Sequence, residues 1–178
     1  GTETFAEPEV GQLAQAGAMQ WVQRALEKNI DLGFEGGETP IRVRGDAVSL
    51  NEMLGNLIDN AIRYTPQKGH ITIRVADEQG RAVLSVEDNG PGIAPQHRER
   101  VFERFYRVLG SGQSGSGLGL AIVAEVAKRH NATLRLDAGS GGKGTLISVR
   151  FPRRSMPPAP PSPPPGEDTT KSPAYYGG

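Results

Sequence analysis

The sequence predicts an α/β domain in which a mixed, mostly antiparallel sheet is covered on one face by about three helices. Three observations carry this. Segments of helical period and of alternating period are interspersed along the chain. Two pairs of short strands, HITIRVA with RAVLSVE and TLRLDA with TLISVRF, lie close enough in sequence to form hairpins. One long stretch, Asp46 to Tyr64, carries an apolar stripe at helical spacing, the kind of face that must be buried against a sheet or another helix.

Taken in order, Leu13 to Lys28 combines good helix formers with apolar residues at Leu13, Ala14, Met19, Val22, Ala25 and Leu26, and predicts the first helix. Asp31 to Gly37 and IRVRG from Ile41 predict two short strands. Asp46 is a side-chain cap for the second helix, which runs to Tyr64 and is stopped by Pro66. Residues 70–76 and 81–87 predict a hairpin joined through Asp77 to Gly80. A short helix is expected from Gln96 to about Phe105, with His97 at its start. Leu118 to His130 predicts the third long helix, with His130 at its end, where a partial positive charge suits the helix dipole. TLRLDA and TLISVRF close the domain around a turn from Gly139 to Gly144.

The chain has 178 residues, about one domain by the usual prior of roughly 100–200 residues each. Twenty basic and 20 acidic residues give a net charge of zero, so nothing favours general nucleic-acid or acidic-membrane binding, and any anion site must be local. The absence of cysteine excludes disulfides, thiolate metal sites and thiol nucleophiles. No apolar run approaches the roughly 18 residues of a membrane span. Nine of the 14 prolines lie at or beyond Pro152. Such a stretch lacks backbone donors and favours extended conformations, so residues 1–152 are expected to fold and 153–178 to form a disordered proline-rich tail, with an SH3-type ligand as its alternative reading.

Chemistry concentrates in three places. On the Asp46–Tyr64 helix, Leu50, Leu54, Leu57, Ile58 and Ala61 form the apolar stripe, while Glu52, Asn56, Asn60 and Arg63, spaced four, four and three apart, form a polar row. Two readings stand: a solvated face with a buried hydrogen bond, or a row of oxygen ligands for Mg²⁺ continued by an arginine for phosphate. VEDNGPGI, Val86 to Ile93, is a tight turn, or a turn whose Asp88 carboxylate accepts from a purine amino group while Gly90 and Gly92 admit the base. Tyr64 is ordinary core, or a ring against which that base packs. The glycine-rich run Gly110 to Leu120 leads straight into a helix, a geometry suited to an anion at a helix N-terminus. It is no dinucleotide fingerprint, because FERFYRV rather than a strand precedes it, and GSGGKGT is no P-loop, because Lys143 is followed by glycine.

The order NEMLGNLIDNAIRYTP, VEDNGPGI, VFERFYR, GSGLGLAIV resembles the N, G1, F and G2 boxes of the ATP-binding catalytic domain of bacterial sensor histidine kinases. The likeness covers about residues 10–152. It implies the Bergerat fold, a two-layer α/β sandwich shared with gyrase, Hsp90 and MutL ATPases. It further implies ATP and Mg²⁺ as cofactors, Asn60 as the main metal ligand with Asn56 assisting, Arg63 on phosphate, Tyr64 beside adenine and Asp88 on its amino group. Gly90, Gly92 and Ile93 would border the base, Phe102 and Phe105 would hold the ATP lid, and Gly115, Gly117, Leu118, Gly119 and Leu120 would form its hinge and phosphate loop. Thr145 would close the adenine pocket. Glu52 matches the acidic residue proposed in the family to assist proton removal from the acceptor histidine.

A complete sensor kinase carries a helical hairpin with a phosphoacceptor histidine before this domain. The three histidines here, in KGHIT, PQHRE and KRHNA, match no acceptor context, so the chain reads as an excised C-terminal catalytic piece. By the resemblance its partners are the dimerisation and phosphoacceptor domain of the same kinase and a downstream response regulator, with no nucleic acid and no direct membrane contact. The expected location is cytoplasmic, the parent being anchored in the bacterial inner membrane. The alternatives are an ATPase clamp of the gyrase or Hsp90 kind, disfavoured because those enzymes place a glutamate base where Asn56 stands, and a nucleotide-binding module without catalysis.

Overall fold

The structure is a computed structural model that describes residues 5–104, 118–154 and 163–166. Its elements are helices α1 (Val10–Met19), α2 (Val22–Glu27), α3 (Ala47–Tyr64) and α4 (Gly119–Arg129), and strands β1 (Asp31–Gly36), β2 (His70–Glu78), β3 (Arg81–Asp88), β4 (Thr133–Ala138) and β5 (Thr145–Arg150). One five-stranded sheet runs in the order β1-β2-β3-β5-β4. Only β1 and β2 are parallel, from Asp31↔His70 to Gly36↔Val75; the other pairs are antiparallel. The expected mixed sheet is therefore present, and α3 is the crossover that its parallel pair requires.

The apolar stripe of α3 forms the centre of the core. Leu50, Leu54, Leu57, Ile58 and Ala61 are each at most 3% exposed, together with Met53, and they share one cluster with Ile71, Ile73, Leu84, Val86, Ile147 and Val149 of the sheet. Ala14 and Ala18 of α1 and Val123 and Val126 of α4 join it. Asn29 and Asn131 adopt left-handed backbone (φ 57° and 54°) just past α2 and α4, which ends each helix. At the β2–β3 turn Gln79 and Gly80 both have positive φ, and Glu78 pairs with Arg81, so the turn is two residues long and tighter than the expected Asp77–Gly80.

The structure corrects several expectations. The single helix over Leu13–Lys28 is two helices that begin earlier, at Val10. The Glu9 carboxylate caps α1 by accepting from the Gly11 and Gln12 amides (2.7 and 3.1 Å), and it also accepts from Ile41 (3.0 Å). The break falls at Gln20–Trp21, where the indole packs against Gly55 of α3; tertiary packing overrides the helix propensity of the segment. Residues 41–45 do not enter the sheet. They make antiparallel bridges to the N-terminal segment, Ala6↔Gly45 and Glu9↔Arg42, and bury Ile41 and Val43 beneath it. The expected helix from Gln96 to Phe105 is instead two 3-10 turns, Pro95–His97 and Arg100–Phe102, in which Val101 alone is buried. His97 thus closes a turn rather than opening a helix. Among the described residues the sheet is accompanied by four α-helices, the first predicted helix being split into α1 and α2.

His130 is also corrected. It is 3% exposed, stacks on Phe5 with ring centroids 4.8 Å apart, and its Nε2 accepts from the Asp46 amide at 3.1 Å. An Nε2 that accepts a backbone N–H carries no proton, so in this tautomer Nδ1 donates to the Val126 carbonyl at 2.8 Å. The ring ties the end of α4 to the start of α3. Beyond β5, the Phe151 and Arg154 amides still donate to Ala82 and Gly80, so ordered pairing extends to Arg154.

Candidate nucleotide site

The site is built along α3, whose start is fixed by Asp46 accepting from the Ser49 amide (3.2 Å). From Glu52 to Tyr64 is twelve residues, about 18 Å at 1.5 Å each. Asn56, Asn60, Arg63 and Tyr64 are half-buried along this length and Glu52 is exposed. The Asn56 side-chain nitrogen donates to the Glu52 carbonyl (2.9 Å), and its Oδ1 faces Gly119, where an added Cβ would stand 3.2 Å away. The first residue of α4 therefore sits against Asn56. The N-cap position of α4, Leu118, makes no side-chain capping hydrogen bond.

At the other end of the site stands Asp88, the last residue of β3 and 7% exposed. Its Oδ1 accepts from the Gly90 amide at 2.9 Å and from the Thr145 amide at 3.3 Å; Oδ2 has no hydrogen-bond partner among the described residues. Burial pushes the carboxyl above its ordinary range, against the opposing pull of these two amides and with help from the neighbouring Glu87 charge. Thr145 is buried opposite Asp88 at the end of the β3–β5 ladder. The turn that delivers it is held by Glu87, whose Oε2 accepts from the Ser140 amide and hydroxyl (2.6 and 2.7 Å). Gly144 has φ +72°, and a Cβ there would fall 1.9 Å from the Asp88 carbonyl oxygen, so only glycine fits.

Gly90 lies against the carbonyl of Tyr64, where a Cβ would stand 2.7 Å from the oxygen, so the turn and the end of α3 are in direct contact. Gly92 (φ +82°) faces the Gly144 carbonyl. Ile93, Phe102 and Leu120 are partly buried against the core, and Leu118 is half-buried immediately before α4. The structure thus brings Asp88, Gly90, Tyr64 and Thr145 together at one end, and Asn56 and Gly119 together nearer the other. Phe105, Gly115 and Gly117 lie outside the described residues.

One neighbour escaped the reading of the sequence. Asp59, between Asn56 and Asn60, accepts from Arg63 Nε at 3.0 Å and pairs with Arg24 of α2 at 3.5 Å. An acidic residue four positions before an arginine is a visible signal for such a pair on a helix.

The family described as histidine kinase-, DNA gyrase B- and HSP90-like ATPase matches residues 45–155. The chain is 42% identical over 154 residues, 84% of its length, to the signal transduction histidine-protein kinase/phosphatase MprB of Mycolicibacterium paratuberculosis. It is 37% identical over 96% of its length to the sensor protein kinase PmrB of Pseudomonas aeruginosa. It spans 30% and 35% of those two relatives. Among solved structures, full-length ShkA in complex with AMPPNP superposes with a TM-score of 0.74 at 28% identity, covering 86% of this chain and 32% of ShkA.

Proposed function

This chain belongs to the histidine kinase-, DNA gyrase B- and HSP90-like ATPase family, and from that membership we propose that it binds Mg-ATP and donates the γ-phosphate to a histidine on a separate helical dimerisation and phosphoacceptor domain of the same kinase. The observation that carries this reading is Asp88. A buried carboxylate with one oxygen held by two backbone amides and the other without a partner among the described residues is an acceptor awaiting a donor, and an exocyclic amino group would supply one. Tyr64, Gly90, Gly92, Ile93 and Thr145 surround that position and would border adenine, with Phe102, Leu118 and Leu120 contributing apolar lining.

The phosphates would then run along α3 toward Asn60, Asn56 and the start of α4, with Arg63 contacting them. The donor set suits magnesium: amide oxygens are hard neutral ligands, and the hydrogen bond from Asn56 to the Glu52 carbonyl already turns its Oδ1 outward from its own helix. Bound there, the metal supplies neutralisation of phosphate charge, the main catalytic need of phosphoryl transfer. Asn56 and Asn60 orient the triphosphate, the helix N-terminus complements its charge, and Glu52, exposed beyond Asn56, would hold the proton of the acceptor histidine. The catalytic domain would occupy residues 1–152, followed by the proline-rich tail at 153–178.

Among the described residues no helix is long and apolar enough to cross a membrane. We place the domain on the cytoplasmic face of a membrane-anchored parent, upstream of a response regulator. Mixing the 178-residue chain with a dimeric helical hairpin carrying its cognate histidine should yield acid-labile phosphohistidine on the hairpin, slowly, because tethering is lost. Glu52→Gln should slow this transfer while ATP affinity holds. Self-labelling of the isolated chain on histidine, or rapid ATP hydrolysis without acceptor, would overturn the reading.

A further inference from the structure

We infer that Asp59 is a positioning residue that holds Arg63 ready for phosphate, and that Arg24 of α2 restores the positive charge which Asp59 would otherwise cancel. The inference rests on the phosphate role proposed above for Arg63. Asp59 is the residue before Asn60 and lies one turn from both Asn56 and Arg63, so its carboxylate stands beside the row that would meet the triphosphate. An acid there is costly unless it serves a purpose, since like charges repel most strongly where water is excluded.

The geometry supplies the purpose. Arg63 Nε donates to Asp59 Oδ2 at 3.0 Å, which fixes the plane of the fork. An arginine fixed before its ligand arrives loses less rotamer freedom on binding. The other carboxylate oxygen, Oδ1, is buried and makes no hydrogen bond among the described residues; its ionic partner there is Arg24 Nη2 at 3.5 Å. Two guanidinium groups therefore share one carboxylate, and the trio keeps a net positive charge. Arg24 is held independently of any ligand, because its guanidinium lies 5.9 Å from the centre of the Trp21 ring, which itself packs on Gly55. In this way α2 acts on the site without contributing a side chain to it.

The test is a double-mutant cycle read by titration with Mg-ATP and with adenosine, which has the base but no phosphates. Arg63→Ala should weaken Mg-ATP about tenfold or more, as loss of a charge-assisted contact does. Asp59→Asn should weaken Mg-ATP by about three- to tenfold, leave adenosine unchanged, and cause no further loss in the Arg63→Ala background. Arg24→Gln should weaken Mg-ATP about twofold, a loss that shrinks as salt is raised; a salt-independent loss overturns the charge role of Arg24. If Asp59 acted only as a negative charge, Asp59→Asn would tighten Mg-ATP in both backgrounds, and the positioning role would fall. Equal weakening of adenosine and Mg-ATP would make Asp59 merely structural and overturn it too. Should Asp59→Asn fail to fold, Asp59→Ser takes its place in the same cycle. An Arg63→Ala variant that binds Mg-ATP normally overturns the phosphate role itself, whereas a weakened Arg63→Ala beside an unchanged Asp59→Asn overturns only the present inference.

Discussion

The Thr145 amide donates to Asp88 Oδ1 at 3.3 Å from directly across the β3–β5 ladder, so the carboxylate is gripped by the strand facing it as well as by its own turn at Gly90. Two separate stretches of sequence thus fix one oxygen, while the other has no hydrogen-bond partner among the described residues. The cost of keeping that group buried is the physical basis of the first two predictions.

Asp88→Asn should stabilise the ligand-free chain while damaging nucleotide binding. Burial raises the folded-state pKa, so the contribution of the carboxyl to stability is present below its unfolded value and is lost as pH rises through the folded one; at neutral pH the ionised group is a liability. Asparagine keeps an acceptor for Gly90 and Thr145 and removes the charge. Calorimetric melting of the free chain should show a gain of a few degrees at pH 7 that disappears toward about pH 4. ATP affinity should fall by on the order of 1.5–3 kcal/mol, because an amide nitrogen or a weaker acceptor then meets the adenine amino group. Unchanged ATP affinity would remove Asp88 from the site.

Nucleotide binding should release protons in mildly acidic buffer. The ionised Asp88 accepts from an amino group more strongly than the protonated form, so ATP favours the ionised form and pulls down a pKa which burial has pushed up. Affinity should decline as pH falls through the raised value, at a higher pH than an ordinary carboxylate near 3.8 would give. Titration calorimetry in buffers of different ionisation enthalpy reads the proton count directly, and Asp88→Asn should abolish the component due to this group.

Gly119→Ala separates helix stability from ligand geometry. Alanine is the better helix former by about 1 kcal/mol. Its Cβ, however, would lie 3.2 Å from Asn56 Oδ1, tight enough to displace that amide. The free chain should melt no lower than wild type, yet Mg-ATP should bind several-fold more weakly, with a smaller loss for ATP in EDTA. Equal losses with and without metal would count against Asn56 as a metal-side ligand.

What the sequence made legible, and what it concealed, divides by distance along the chain. The α3 stripe, the Asp46 cap, both hairpins and the ending of β3 in Asp88 depend on neighbours within a few residues, and each could be read from spacing and turn chemistry. Glu9 was silent because one of its three amide partners, Ile41, lies 32 residues away. His130 looked like a charged helix end because its decisive partner, the Asp46 amide, lies 84 residues earlier. The ribbon at Ile41–Gly45 carried a strand-like pattern, but nothing local told it to pair with the N-terminal segment rather than the sheet. At the candidate site the glycine pattern is visible in the sequence, while the close approaches of Gly90 to the Tyr64 carbonyl and of Gly144 to the Asp88 carbonyl need separate elements placed in register.

The parallel pairing of β1 with β2 has a consequence for how the chain reaches this structure. β3 follows β2 through a two-residue turn and β5 follows β4 through a short one, so these contacts close at little entropic cost. Asp31 and His70, by contrast, are 39 residues apart, and the whole of α3 lies between them. The helix that carries Asn56, Asn60 and Arg63 is therefore threaded through the loop that this parallel pair must close, a long-range contact of the kind that slows folding. Strand β1 itself packs against α1 and α2, and the Asp88–Thr145 pair of β3 and β5 closes across 57 residues, a longer span than Asp31 to His70. The two ends of the candidate site are therefore completed by different long-range contacts, and neither hairpin alone assembles it.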